Sequence, residues 1–123
     1  MKEKIYDLEE RTFRFVQRVI AFVNCLPKNI PNIEIGRQLV RSAGSVGANY
    51  LEASEYLGKK DFFMRMRICR KEAKESRYWL RLVQVKKAED RSEQEWLIQE
   101  ALEFTKIFGA IVTRKSKIQI GSL

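Results

Sequence analysis

The 123-residue chain contains no histidine and only two cysteines, Cys25 and Cys69. Without histidine it can form no Ser-His or Cys-His nucleophile pair, and two cysteines alone cannot complete a zinc site. Each cysteine falls among apolar residues at helical spacing. We therefore expect two reduced side chains in the core, with no disulfide, no metal and no other cofactor.

Proline and long apolar runs are also scarce. The only prolines, Pro27 and Pro31, stand together in the segment PKNIPN, which predicts a break between two helices. No stretch approaches the roughly 18 apolar residues that a membrane span needs. The charged N-terminus lacks the apolar centre of a signal peptide. We therefore expect a cytoplasmic location and no association with a membrane.

Glycine occurs six times but forms no phosphate-binding loop. Gly44 and Gly47 lie inside a helical pattern, with no preceding strand and no Lys-Ser/Thr pair after them. Paired acids such as Glu52 and Glu55 stand three residues apart, which is typical of a solvated helix face. The sequence thus predicts a protein that is not an enzyme and has no catalytic residues. An enzyme that uses carboxylates or lysine is the alternative, and no cluster of residues supports it.

Apolar residues recur at helical spacing and predict four helices and no strand. The expected helices run over residues 7–24, 33–57 and 62–87, with a fourth that begins after residue 92. Asp7, Asp61 and Ser92 are the expected N-caps, and Gly58 is the expected C′ residue of the second helix. A loose basic tail is expected over residues 114–123.

Short connections between long amphipathic helices predict an all-α fold, an antiparallel up-down-up-down four-helix bundle. Residues 1–123 form a single domain by this interpretation. The first helix carries a second apolar stripe beside its core stripe. That stripe indicates either a deeply buried helix or contact with a second subunit in a homo-oligomer. Its members are Phe13, Val16, Ile20 and Val23.

Positive charge is concentrated in the third helix. Residues 59–87 hold eleven Lys and Arg and three acids, so they carry the formal net charge of +8, and the other residues balance. Six cations fall within an arc of about 120° on that helix, opposite its core stripe. We call these six the basic face: Arg67, Arg70, Lys71, Lys74, Arg77 and Arg81.

The basic face repels itself, which suggests that a polyanion offsets the repulsion. Glu72 and Glu75 fall outside the arc and are not expected to pair with it. The alternative is a solvated face that pairs with acids of a neighbouring helix or subunit. The fourth helix offers four such acids: Glu93, Glu95, Glu100 and Glu103.

The second helix carries a stripe of small and polar residues, which we call the polar ladder. We interpret it as structural, because such side chains can hydrogen-bond across helices or between subunits and so set the register. A ligand site is the less favoured interpretation. The ladder consists of Gln38, Arg41, Ser42, Ser45 and Asn49.

The stretch from Gln38 to Leu82 resembles a family of small bacterial four-helix bundle proteins. These were first recognised as reading frames inside intervening sequences of large-subunit ribosomal RNA genes. Their signature is similar to Q-x-x-R-S-A-x-S-I-x-A-N-I-A-E-G, with a basic turn and a Phe-rich helix start after it. The chain departs from it at Glu52, which stands one place earlier than the family's Glu, so that Ala53 takes the acidic place. Val46 is a mild change, and Lys59 to Phe63 match the turn. Direct matches are Gln38, Arg41, Ser42, Ala43, Ser45, Ala48 and Asn49.

The resemblance implies a homopentamer in which bundles pack into a barrel, and it implies no particular chemistry. A related group serves as accessory proteins of diversity-generating retroelements, in which a basic pentameric bundle works with a reverse transcriptase and its RNA. We therefore predict a non-enzymatic, oligomeric protein that binds RNA or DNA through the basic face. The alternative is a protein-interaction scaffold, such as a retroelement accessory protein with a reverse transcriptase as partner.

Overall fold

The structure is a computed structural model that describes residues 7–121, with side chains as far as Arg114. Within that range the chain forms four α-helices and no strand. The helices are α1 (Leu8–Cys25), α2 (Ile30–Ala53), α3 (Lys59–Leu82) and α4 (Ala88–Gly121). Each helix packs on the next one along the chain, and α1 also packs on α4. The predicted all-α bundle of four helices is therefore confirmed.

The core consists of one apolar face from each helix. The ring of Phe15 meets Phe104 edge-on at 5.3 Å between centroids, and Phe104 stacks on Phe108 at 6.0 Å. The predicted stripes supply most of this core, because burial follows the 3.6-residue period. Leu57 is an exception. It is exposed because α2 ends at Ala53, before reaching it.

The connection between α2 and α3 differs from the prediction. Gly58 does not end α2 as a C′ residue; it precedes α3 as its N-cap, with a φ of +127°. Glycine suits that position because a side chain would strain the backbone there. Asp61 is not the N-cap but lies in the first turn of α3, where its carboxylate is 3.4 Å from Arg65 Nε.

Helix α4 begins earlier than predicted, at Ala88, so Ser92 lies inside the helix and is not its N-cap. Glu89 and Asp90 occupy the first turn, where negative charge favours helix formation. The helix continues to Gly121, so the expected loose tail is helical as far as that residue. The side chains beyond Arg114 and residues 122–123 lie outside the described part.

Asn32 is a buried polar residue that the sequence did not single out. Its Oδ1 accepts from the backbone N–H of Gln84 at 2.9 Å. Its Nδ2 donates to the carbonyls of Pro27 and Gln84, at 3.0 and 2.9 Å. One side chain thus joins the α1–α2 connection to the segment after α3. Asn29 caps α2 beside it by accepting from the Asn32 N–H at 2.9 Å.

The two cysteines have different environments. Cys69 is buried in the core as predicted, but Cys25 is exposed, so the prediction of two core thiols is wrong for Cys25. Phe22 and Leu26 occupy the core positions at that end of α1, and Cys25 falls on another flank. Burial raises the pKa of the Cys69 thiol to about 12.

We expect Asn32→Ala to lower the free energy of unfolding by about 2 to 3 kcal/mol, because it leaves buried loop groups without partners. The control is Asn24→Ala, at an exposed position in the last turn of α1, which should change the free energy of unfolding by less than about 0.5 kcal/mol. Chemical denaturation of the two variants measures the difference. Equal stability of both variants would show that Asn32 does not hold the two connections.

Under native conditions near pH 8, a thiol reagent should modify one cysteine per chain rapidly and the second only after denaturation. The protected thiol is Cys69, because its high pKa leaves almost no thiolate and its side chain is buried. Mass spectrometry of the modified peptides identifies the site. Cys25→Ser should abolish the rapid phase, and rapid labelling of Cys69 would contradict the buried position.

Candidate nucleic-acid interface

The basic face lies along α3, with Arg67, Lys74 and Arg81 exposed to solvent. Five of the six residues of the basic face form no ion pair with a carboxylate among residues 7–114, because no carboxylate oxygen there lies within 4.0 Å of their charged nitrogens. These five are Arg67, Arg70, Lys74, Arg77 and Arg81. The described part of the molecule therefore leaves them unneutralised by direct pairing.

Lys71 is the member that does not fit this description. Its Nζ lies 3.7 Å from Glu72 and 3.5 Å from Glu75, so the prediction that these acids cannot pair with the basic face is wrong for Lys71. Lys71 stands at the edge of the face, and its long flexible stem reaches around the helix to the flank of the acids. Its charge is shared inside the protein, and it contributes less to the face.

The acids of α4 do not reach the basic face. Glu100 receives two hydrogen bonds from Arg11, at 2.7 and 2.9 Å, and Glu93 receives two from Arg18, at 2.9 and 2.7 Å. The pKa of each arginine is raised, and the main cause is the hydrogen bond that the arginine donates to its glutamate partner. Both acids therefore belong to the seam between α1 and α4, on the side away from α3.

The other acids of α4 do not pair with α3 either. Glu103 accepts a hydrogen bond from Gln99 Nε2 at 3.0 Å, within the same helix. Among the described residues, no ion pair forms at the three remaining acids, Glu89, Asp90 and Glu95. The alternative in which α4 neutralises the basic face within one chain is thus not supported by the geometry.

Two arginines of the face are partly buried, and one of them, Arg70, lies against α4. A Cβ at Gly109 would lie 3.5 Å from Arg70 Cδ, so this glycine leaves room for the arginine stem. Arg77 is half-buried, and its Nε is shielded from solvent without a hydrogen-bond partner. Arginine can bury its stem against neighbouring residues in this way while the end of the guanidinium stays in water.

Lys106 extends the basic surface onto α4, which the sequence reasoning missed. It is exposed and stands one turn before Gly109, so it shares the flank that faces Arg70. Its spacing from Gly109 is visible in the sequence. Only the packing reveals that this flank adjoins α3.

The polar ladder lies along the seam between α2 and α3. Ser42 and Ser76, both fully buried, share a hydrogen bond of 2.9 Å between their hydroxyls. Asn49 donates to the carbonyl and the hydroxyl of Ser45, each at 3.0 Å, and accepts from Arg65 of α3 at 3.0 Å. These contacts occupy the polar groups of the two helices with one another.

Arg41 completes the ladder at its outer edge. It donates to Glu75 at 2.8 Å and, at 3.4 Å, to Gln38, and its Nη1 lies 3.5 Å from Glu72. The two glutamates therefore lie between Arg41 and Lys71. The charged groups on the ladder side of α3 are therefore paired with one another, whereas the five cations named above have no carboxylate partner among residues 7–114.

The described residues meet neither the requirements for a metal site nor those for a membrane-spanning helix. No group of three or more His, Cys, Asp or Glu side chains there could hold a metal ion. None of the helices, as far as they are described, is long and apolar enough to cross a membrane.

Comparison with known proteins identifies the family. The family model described as "23S rRNA-intervening sequence protein" matches residues 5–110. The chain belongs to this family. A solved structure from Bacteroides thetaiotaomicron, a protein with unknown function from the S23 ribosomal protein family, shares 26% identity and a TM-score of 0.67 with it. That match covers 85% of this chain and 96% of the other. No curated protein matches this intervening-sequence family member.

The Arg11–Glu100 pair should stabilise this family member measurably. A double-mutant cycle with Arg11→Met and Glu100→Gln should give a coupling of about 1 to 3 kcal/mol, because the pair is bidentate and largely shielded from solvent. The exposed Arg14–Glu10 pair on one helix face is the control and should give less than about 0.5 kcal/mol. Denaturant unfolding measures both cycles. Similar coupling in both would contradict the role of the α1–α4 seam.

Proposed function

We propose that this chain is a non-enzymatic protein that binds the phosphate backbone of RNA or DNA through the basic face of α3. The observation that supports this most is the set of five cations without a carboxylate partner in the described part of the chain. Clustered like charges destabilise a helix unless something neutralises them. Phosphate groups do so and release their counterions, which favours binding.

The dimensions of the face suit a nucleic-acid backbone. From Arg67 to Arg81 the helix rises about 21 Å, at about 1.5 Å per residue. Several phosphates can be contacted over that distance. Lys106, on the adjoining flank of α4, widens the surface. The name of the family refers to 23S rRNA, and for that reason we place RNA first among the polyanions.

Aromatic side chains near the face do not form a stacking platform. Tyr78 is exposed, but its ring packs edge-on against Trp79, with centroids 4.9 Å apart. Trp79 is partly buried on the flank toward α2. Proteins that stack bases present open aromatic faces to successive nucleotides. Binding through this face is therefore proposed to follow the backbone, with little preference for sequence.

The finer features of the fold belong to the same proposal. An antiparallel, up-down-up-down arrangement is supported by the cross-links between helices. Arg11 of α1 pairs with Glu100 of α4, and Arg18, further along α1, pairs with Glu93, which comes earlier in α4. The two helices therefore run in opposite directions in this arrangement. A homo-oligomer, a pentamer by the family resemblance, is supported by the exposed apolar residues Phe13 and Ile20 on α1.

A second candidate function is a protein-interaction scaffold, for example a retroelement accessory protein that docks a reverse transcriptase. The exposed apolar surface of α1 favours it, since such a patch marks contact with other proteins. The two functions make different predictions, because docking through an apolar surface depends weakly on salt and phosphate binding depends on it steeply.

We expect the triple variant Arg67→Gln, Lys74→Gln and Arg81→Gln to lose most of its affinity for RNA and DNA. These three cations are fully at the surface and hold no partner in the described chain, so the fold should remain intact. In a plot of log affinity against log salt, the slope should become shallower by about 2 to 3, since each lost phosphate contact removes about 0.7 to 0.9. Fluorescence anisotropy at several salt concentrations measures both quantities.

The matched control removes three exposed cations that lie outside α3: Arg14→Gln, Lys28→Gln and Arg37→Gln. It has the same net charge as the first variant, so a general effect of charge would weaken both equally. Unchanged affinity of the basic-face variant would rule out binding through α3. Salt-independent capture of a protein partner, without nucleic-acid binding, would favour the scaffold.

A further inference from the structure

An open apolar groove of about 620 Å³ runs along the seam between α1 and α2. Phe13 is 59% exposed, Ile20 44% and Leu51 48%, which is unusual for such side chains grouped on one surface. We call this surface the α1–α2 groove. It is separate from the basic face, because α3 packs on the other side of α2.

Two glycines of α2 keep the groove open. At Gly44 a Cβ would meet nothing within 4 Å, so the space above it is empty. At Gly47 a Cβ would lie 3.6 Å from Val16 Cγ2, so this glycine forms part of the floor where the helices meet. Each glycine costs about 1 kcal/mol of helix stability relative to alanine. Occupation of the open space by another segment would offset that cost.

The charges at the rim indicate what kind of segment fits. Glu9 and Glu10 line the groove at the end where α1 begins. Glu10 pairs with Arg14 at 3.2 Å, whereas Glu9 forms no ion pair with another described residue. A fitting segment therefore carries cations together with apolar side chains. The basic tail, residues 114–123, has this composition. It reads RKSKIQIGSL, with three cations, no acid, and apolar residues at Ile118, Ile120 and Leu123.

The basic tail of a chain is poorly placed to reach its own groove. Helix α4 packs closely on α1 and α3 and touches α2 through Phe108, whose ring centroid lies 6.1 Å from that of Tyr50. It then continues as a helix to Gly121, which leads its last turns along its own axis and not back over the groove. The tail of a second copy is not restricted in this way. The eight tail residues from Arg114 to Gly121 span about 12 Å as a helix, which fits within the roughly 16 Å that separate Glu9 and Ile20 along α1.

We infer that the basic tail of one copy of this chain occupies the α1–α2 groove of a second copy. The inference rests on the homo-oligomer of the proposed function and states which surfaces meet. Such a contact joins two different surfaces and is therefore heterologous, the type of contact that closes a ring of identical subunits. It leaves the basic face of α3 free for nucleic acid.

Disulfide cross-linking of the full chain tests the contact directly. Phe13→Cys and Ile118→Cys are combined in a Cys25→Ser background, where the remaining Cys69 is buried. Mild oxidation should give a ladder of covalent multimers on a non-reducing gel. Each single-cysteine variant, and the pair Arg37→Cys with Ile118→Cys, should remain monomeric on the same gel. Absence of the ladder, or a cross-link only within one chain, overturns the inference.

Charge exchange provides a second readout that leaves the apolar surface unchanged. Glu9→Lys with Glu10→Lys, or Lys115→Glu with Lys117→Glu, should each raise the concentration needed for assembly about tenfold. Combining all four changes should restore assembly, as measured by light scattering. Failure of the combination to restore it overturns the inference.

The outcomes separate this inference from the proposals on which it rests. An oligomer that forms without the Phe13–Ile118 ladder leaves the homo-oligomer in place and overturns only the tail contact. The competing occupant of the groove is the segment before α1, which Ile5→Cys tests in combination with Phe13→Cys. A cross-link between those two cysteines, with none between Phe13→Cys and Ile118→Cys, also overturns the inference. The salt dependence of nucleic-acid binding is measured separately and does not depend on either result.

Discussion

Two bidentate ion pairs between α1 and α4 determine how the charge of this molecule is distributed. Arg11 and Arg18 hold Glu100 and Glu93 at hydrogen-bond distance, on the side of α4 that faces away from α3. The guanidinium of Arg18 also lies 3.5 Å from the centroid of the Trp96 ring, which adds a cation–π contact. Because these acids are used within the bundle, they cannot neutralise α3. The excess positive charge therefore stays at the surface.

The seams between the helices have different chemistry, and each leaves a different surface. Between α2 and α3, serine, asparagine and arginine satisfy one another, so that flank carries little net charge. Between α1 and α2, glycines bring the backbones together and leave an apolar groove instead of a filled contact. The positive surface and the apolar groove are therefore separated on the bundle. Two partners could bind the same subunit without competing for one site.

Membership of the intervening-sequence family establishes the kind of fold more firmly than the activity. The similar Bacteroides thetaiotaomicron structure is itself of a protein with unknown function. A fold of this kind does not determine an activity, which depends on the chemistry of the surfaces that the bundle carries. The five cations of α3 without a carboxylate partner among residues 7–114 are a direct physical clue, because like charges on one helix destabilise it.

The sequence by itself determined the number and kind of the helices, the core stripes and the arc of cations on α3, because helical periodicity is a local property of the backbone. Only the tertiary structure decided that Cys25 is exposed, that Lys71 reaches Glu72 and Glu75, and that Gly58 begins α3. The central position of Asn32 also became visible only there. Each of these depends on which flank of one element meets another, and that relation is set by packing between residues far apart in the chain.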